Sequence, residues 1–428
     1  MHDIEEIKLK IIELKNNNPS FVSVGYGYKK IGGNVTDELC IIISIKQKKP
    51  LSELSSDEII PTEIQLSTGK IKTDVEILHS VVAIACNAYC GTYMGPNSDA
   101  NRQVVRPLKG GISITSTNNV STVGTMGFIA VHSATGAFVG VTNNHVLIQD
   151  AFYTSERNLA GPIKNEYSPA DYVYQNGESG VVPPANYTIG QSLRYVPIHQ
   201  WDGVNYNYVD GAIFSIKQTD SNSNALIDIT QSYKQIGETV WTLPYQFATT
   251  AEIDNLMVTN PMIYSSGRST GPKGGPTCPM RILEINTYST TDYHRQGNFI
   301  SCYFAGLIKF VKPANDPDTS TVCSNPIMGG DSGSALIADF GGTKKIIGLV
   351  YAAGYDPTGS AVIYGYACRI DKVATELGIE AWSGGSRNYI NPATIEYKTT
   401  PNGSSNKILH CNGKDYWQVG LTTLSNPC

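Results

Sequence analysis

Charge is scarce in this chain. Asp, Glu, Lys and Arg make up only 16% of its 428 residues, and the formal net charge at pH 7 is −5. Without a basic excess there is no general electrostatic footprint for nucleic acid or an anionic membrane, and neither is expected as a partner. Long apolar runs are missing as well. No stretch approaches the roughly 18 consecutive apolar residues that a spanning helix needs. Cysteine is thin, with nine residues over this length, too few for a disulfide-built scaffold. Cys86 and Cys90 have no second pair nearby to complete a zinc site. The thiols are therefore expected to be mainly reduced, in a cytoplasmic protein. The opening MHDIEEIKLKIIELKNNNPSF puts acids ahead of bases and has no apolar core of the kind a secretory signal carries. GRSTGPKGG lacks the Gly-Lys-Ser/Thr ending of a phosphate-binding loop and reads as a tight connection between strands. His294 and His410 belong to no metal-ligand framework, so no metal and no cofactor is expected.

Glycine (41) and tyrosine (25) are abundant, a composition that favours strands joined by tight turns. Ile4, Ile7, Ile11, Ile12 and Leu14 recur mainly every three or four residues, which predicts one short helix ending near NNNP. Two strands around a Gly-Asn turn follow, stopped by Pro50; then comes a short helix or turn, and another strand in KIKTDVEIL. Residues 1–80 thus read as a small α+β accessory unit, with 81–104 as a linker. From 105 onward, short apolar runs alternate with glycine and polar turns, among them GGISIT, DGAIFSI, MRILEI, SALIADF and KIIGLVYAAG. Helices between these runs are largely absent, so an antiparallel barrel or sandwich is expected rather than a βαβ array. IDKVATELGI is the exception and reads as a helix. Residues 385–428 read as a peripheral extension.

Three short stretches carry chemistry. IMGGDSGSAL sets Ser332 behind Gly-Gly-Asp and before another glycine. A serine hydroxyl is a weak nucleophile unless a base takes its proton. His145, ending the β-like run VGVTNNHVL, can be that base; Asp210, at the entrance of NYVDGAIFSI, can hold its other ring nitrogen. Gly330 and Ser332 can offer backbone amides to an oxyanion, Gly333 permits the sharp turn, and Asp331 orients the loop. Asp171 and Asp202 also lie between the histidine and the serine; Asp210 is preferred because it abuts an apolar strand.

With TNNHVL, DGAI and GGDSGSAL in that order, the chain resembles the chymotrypsin-like serine protease superfamily. It looks closest to cytoplasmic bacterial trypsin-like proteins related to the plant narrow-leaf protease. VSVGYGYK, CIIISIKQKKP, TDVEI, RPLKGGISI, GTMGFIAV, SSGRSTGPKGG and KIIGLVYAAG extend the resemblance over roughly residues 20 to 375. It implies a mainly β protein: a chymotrypsin-like double β-barrel, 105–228 with His145 and Asp210 and 229–384 with Ser332, preceded by the small α+β domain. It further implies His145 as general base, Asp210 as its orienting acid, Ser332 as nucleophile, and the Gly330 and Ser332 amides as oxyanion donors. Asn143 and Asn144 depart from the usual small pair before the histidine, and Ser334 replaces a glycine.

The same resemblance assigns a primary substrate pocket to Pro326, Tyr351, Ala352, Ala353, Gly354 and Gly365, with Tyr351 lending an aromatic edge. Pro326 falls where relatives that cut after basic residues carry an acid. A neutral pocket would take small or apolar side chains, unless Asp356 turned inward. A protein or peptide substrate is therefore expected, with regulation or self-association through residues 1–80. A catalytically silent interaction module of the same fold is the alternative. An α/β-hydrolase is disfavoured, since position 334 is serine where a nucleophile elbow needs glycine.

Overall fold

The Ile4–Asn17 helix is held at both ends and along one face. The Asp3 side chain accepts from Glu5 N at 2.9 Å, Glu5 and Glu6 occupy the first turn, and Lys15 the last, as the helix dipole favours. Ile7, Ile11 and Lys15 turn inward. Lys15 Nζ donates to Pro19 O (3.1 Å), to Thr290 Oγ1 (2.9 Å) and to Phe21 O, and lies 4.5 Å from the Tyr303 ring centre. Thr290 and Tyr303 belong to strands far along the chain, so one buried ammonium ties the helix to the body of the protein. The computed structural model describes residues 3–31, 34–55, 58–84, 102–117, 122–148, 152–153, 172–175, 185–196, 198–200, 206–228, 246–274, 278–295, 298–311 and 325–390, together with the strands Ile395–Thr399, Ser405–Cys411 and Lys414–Trp417.

The protein is mainly β. One sheet of eight strands runs in the order Ile379–Ala381, Phe128–His132, Ala137–Thr142, Ala212–Ile216, Thr188–Tyr195, Tyr172–Gln175, Ile112–Ser116, Gly124–Met126. Gly124–Met126 at one end and Phe128–His132 near the other are separated in the chain by Gly127 alone. The sheet therefore wraps back on itself, and Gly127 N donates to Val141 O at 2.9 Å across the join. Closure explains why residues pointing both ways along Ala137–Thr142 and Ala212–Ile216 are buried: one set fills the barrel and the other packs outside it.

The second sheet runs Gly271–Gly274, Met262–Gly267, Ala335–Phe340, Thr343–Tyr355, Val362–Arg369, Asn298–Val311, Arg281–Arg295, and then continues into Ser23–Ile31, Asn34–Ile45, Gly69–Ile77 and Glu63–Leu66. The N-terminal strands are thus an extension of this sheet: Ser23 pairs with Ser289 and Val24 with Tyr288. A buried charge cluster sits at that seam. Lys309 Nζ meets Glu284 Oε1 at 2.5 Å and also Glu76 Oε1, while Ser44 (2.7 Å), Tyr364 (2.8 Å) and Lys30 (3.0 Å) donate to the Glu76 carboxylate. Burial pushes the Glu76 carboxyl up, but Lys309 and Lys30 outweigh it and hold the group well below the usual carboxylate range.

Val81–Ala83 lies between Arg281–Arg295 and Thr343–Tyr355, parallel to the first and antiparallel to the second. The expected C-terminal helix is Ile370–Leu377, closed by Gly378 at φ 64°. Beyond it, Ile395–Thr399, Ser405–Cys411 and Lys414–Trp417 form a three-stranded sheet of their own. Among the described residues Cys40, Cys302 and Cys368 are free and buried, while Cys278 is disulfide-bonded. Spacing alone gave no sign of that bond.

Candidate functional site

The Ala137–Thr142 strand ends in a tight turn into the four-residue helix Asn144–Leu147, which carries His145. The two asparagines that depart from the familiar pattern anchor this turn. Asn143 Nδ2 donates to Asp210 O and Asn144 Nδ2 to Val196 O, both at 2.6 Å. Each fixes the helix to a neighbouring loop.

Asp210 stands just before Ala212–Ile216, and Ala212 pairs with Thr142. That register sets Asp210 beside the turn carrying His145. Asp210 is fully buried. Its Oδ2 lies 2.5 Å from His145 Nδ1, and its Oδ1 accepts from the His145 amide at 3.2 Å. Oδ2 also accepts from the Tyr293 hydroxyl at 2.8 Å, and the Asp210 amide donates to Cys368 Sγ at 3.3 Å. Burial first, and then the Asp210 charge, push the Tyr293 phenol well above its ordinary value, so it stays a donor. An imidazole held at Nδ1 by a carboxylate can present Nε2 as a proton acceptor.

Ser332 follows a loop built around Asp331. The Asp331 carboxylate accepts from Ser269 N (2.8 Å), Thr270 N (3.1 Å) and Met328 N (2.9 Å), which ties the loop to the Met262–Gly267/Gly271–Gly274 hairpin. GRSTGPKGG therefore closes a hairpin, as expected over its described residues. Gly330 (φ 95°) and Gly333 (φ 93°) adopt backbone angles that residues with a side chain avoid. Ser332 O accepts from Thr125 N at 2.8 Å, and its Oγ donates to Tyr351 O at 3.3 Å. The serine loop and the His145 helix converge on Gly124, where an added Cβ would press on Val146 and stand 3.0 Å from Ser332 O. Ser334 fits in place of glycine because its hydroxyl accepts from Ser265 Oγ at 3.3 Å.

The Gly330 amide is aimed at the carbonyl of Ile84, 2.8 Å away. Of the expected pocket residues, Pro326, Ala352, Ala353 and Gly354 are buried, and the last three pair with the strand that leads to Ile84. Tyr351 contributes differently from expectation. Its ring packs on Phe304, centroids 4.8 Å apart, and its hydroxyl meets Thr291 Oγ1 at 3.0 Å, so it offers the cleft a backbone carbonyl and not an aromatic edge. Gly365 faces the Phe310 ring, which leaves no room for a Cβ. Asp356 caps its own exposed turn, accepting from Ser360 N (2.8 Å) and Ala361 N (3.1 Å), and does not turn inward. Asp171 and Asp202 lie outside the described residues. Among the described residues there is no cluster of metal-ligating side chains and no helix long and apolar enough to cross a membrane.

Sequence reasoning missed Tyr293, Cys368 and Ile84. Tyr293 sits on the long Arg281–Arg295 strand with nothing in its local sequence to set it apart, and its ring stands edge-on to His145, centroids 5.9 Å apart. Only the tertiary pairing reveals it.

No family model and no curated protein matches the chain. Among solved structures it is similar to a glutamic-acid-specific serine protease described as using a histidine triad in substrate binding. That match has 13% identity and a TM-score of 0.35, and covers 64% of this chain and 100% of the other. A Cellulomonas bogoriensis chymotrypsin and Thermobifida fusca protease A are each 14% identical, with TM-scores of 0.34, over 64% of this chain and 98% of theirs.

Proposed function

We propose that the chain is a serine endopeptidase that hydrolyses peptide bonds through an acyl-enzyme on Ser332. The observation that carries this reading is the Asp210–His145 contact of 2.5 Å, with the Ser332 loop seated against the same turn. In this reading His145 Nε2 takes the Ser332 proton as the oxygen attacks, and later delivers it to the leaving amine. Asp210 fixes the tautomer and stabilises the imidazolium. Tyr293 and the His145 amide share its remaining lone pairs, so the carboxylate is held in position. The amides of Gly330 and Ser332 receive the oxyanion. The reaction calls on no metal or cofactor.

Cleavage after small or aliphatic residues belongs to the same proposal. Pro326, Ala352, Ala353 and Gly354 carry no charge, and Asp356 is engaged in its own turn, so a lysine or arginine would be buried without a counterion. The division into an accessory segment 1–80, a linker 81–104, barrels 105–228 and 229–384 and an extension 385–428 is likewise part of the reading. So are the kinship with cytoplasmic bacterial trypsin-like proteins and a cytoplasmic setting, which the free thiols of Cys40, Cys302 and Cys368 suit and the Cys278 disulfide does not. Incubating the purified chain with a fluorophosphonate probe and an unbiased peptide library tests the reading. Labelling at Ser332 together with peptide turnover is expected. A folded protein that binds peptides, yet neither labels nor cleaves in any variant with an opened cleft, supports a silent interaction module instead.

A further inference from the structure

Residues 79–84, where the expected linker begins, run as an extended strand between Arg281–Arg295 and Thr343–Tyr355. His79 N donates to Tyr355 O (3.2 Å) and Tyr355 N to Ser80 O (3.0 Å). Val81, Val82 and Ala83 then pair antiparallel with Gly354, Ala353 and Ala352, and Ile84 N donates to Tyr351 O at 3.2 Å. The Ile84 carbonyl in turn accepts from Gly330 N at 2.8 Å. Tyr351 O is also the acceptor of the Ser332 hydroxyl. One carbonyl therefore gathers the Ile84 amide and the Ser332 oxygen, while the Ile84 carbonyl sits on an amide suited to an oxyanion. Ile84 is 4% exposed, so its aliphatic side chain is buried where the strand meets the Ser332 loop.

Strand addition of this kind is how extended peptides dock on a sheet edge. Here both edges are used, because Val81 and Val82 also pair with Thr291 and Asp292 on the strand that carries Tyr293. Being part of the same chain, the segment competes with any free peptide at a high effective concentration.

We propose that the chain holds its own cleft closed with residues 79–84 and cuts itself between Ile84 and Ala85. This rests on the serine endopeptidase reading. The Ser332 oxygen bonds to the Ile84 carbonyl carbon as its proton passes to His145 Nε2. The carbon–nitrogen bond to Ala85 breaks, and that nitrogen leaves with the proton from His145. Water, deprotonated by the same imidazole, then hydrolyses the ester. The products are an Ile84 carboxylate, a free Ala85 amine and the restored Ser332 hydroxyl. Because Ser23–Ile31 remains paired with Arg281–Arg295, fragments 1–84 and 85–428 stay together under native conditions.

The test uses the full chain. Intact mass and N-terminal sequencing after incubation should reveal a new terminus at Ala85 in the wild type and none in Ser332→Ala, at a rate independent of protein concentration. Ile84→Asp should abolish the cut and, by emptying the cleft, speed fluorophosphonate labelling of Ser332 by roughly tenfold or more. Three results would overturn the proposal: a wild type that hydrolyses added peptides but never exposes Ala85, the same cut in Ser332→Ala, or labelling unchanged in Ile84→Asp. The wild-type and Ser332→Ala comparison decides even if Ile84→Asp misfolds. If no variant labels or cleaves any peptide, the endopeptidase reading itself falls and takes this one with it.

Discussion

The Tyr293 hydroxyl donates to the same Asp210 oxygen that meets His145 Nδ1, at 2.8 Å against 2.5 Å. One carboxylate oxygen thus serves two partners, one on the short Asn144–Leu147 helix and one on the Arg281–Arg295 strand. A hydrogen bond to a buried charged group is worth about 1.5–3 kcal/mol, so Tyr293→Phe should lower kcat by roughly ten- to hundredfold with KM little changed. Steady-state kinetics on folded protein check this. A change confined to KM would assign Tyr293 to substrate contact instead.

Removing the proposed reacting groups should be far more costly. Ser332→Ala and His145→Ala should each lose on the order of three to six decades of peptide turnover with the fold intact. Asp210→Asn should lose about three to four decades, as in a measured Ser-His-Asp hydrolase, because an amide favours the wrong histidine tautomer. Initial rates alongside circular dichroism decide. Near-normal turnover in Asp210→Asn would move the role of acid to another residue.

The seam cluster predicts a stability effect without a chemical one. Lys309 is wholly buried between Glu284 and Glu76. Lys309→Ala strands the buried Glu284 carboxylate and takes one of several partners from Glu76, and should cost about 3–5 kcal/mol. Urea unfolding at neutral pH measures it. A loss under about 1 kcal/mol would mean that water replaces the ammonium.

Acid should destabilise the first barrel through His132. Burial, and then the nearby Arg194 charge, lower its pKa from 6.5 to about 4. As pH falls below 6.5 the unfolded chain takes up this proton while the folded one does not, so stability declines until about pH 4 and then levels for this group. The full span corresponds to about 3 kcal/mol. His132→Gln should flatten the slope of stability against pH across that window. An unchanged slope would trace the acid sensitivity to other groups.

Product mapping from a peptide library should find cleavage after Ala, Val, Leu or Ile and little after Lys or Arg, unaltered by Asp356→Asn. Predominant cleavage after basic residues would overturn the neutral-pocket reading.

Much of this was legible in the sequence, for local reasons. TNNHVL, DGAI and GGDSGSAL each sit at a strand end, and alternation with tight turns announces the mainly β fold. The N-terminal helix and the helix from Ile370 also follow from their periodicity. What the sequence hid depends on pairing between distant segments. Tyr293 becomes relevant only when its strand crosses behind Asp210. The Val81–Ala83 stretch looks like a linker until two strands close on it. The asparagines before His145 look like a blemish until their amides are seen to reach Asp210 O and Val196 O.

The continuity of Ser23–Ile31 with Arg281–Arg295 bears on how the chain is made. A ribosome releases the N-terminal strands long before their partner exists. Until then the outer edge of Ser23–Ile31 has nothing to pair with, and the apolar face of CIIISI in Asn34–Ile45 awaits cover. Such edges recruit other chains. Yield in a cell should thus depend on holding factors and temperature during synthesis more than on the stability of the finished protein. Moving residues 1–84 behind the C-terminus by circular permutation should relieve that dependence.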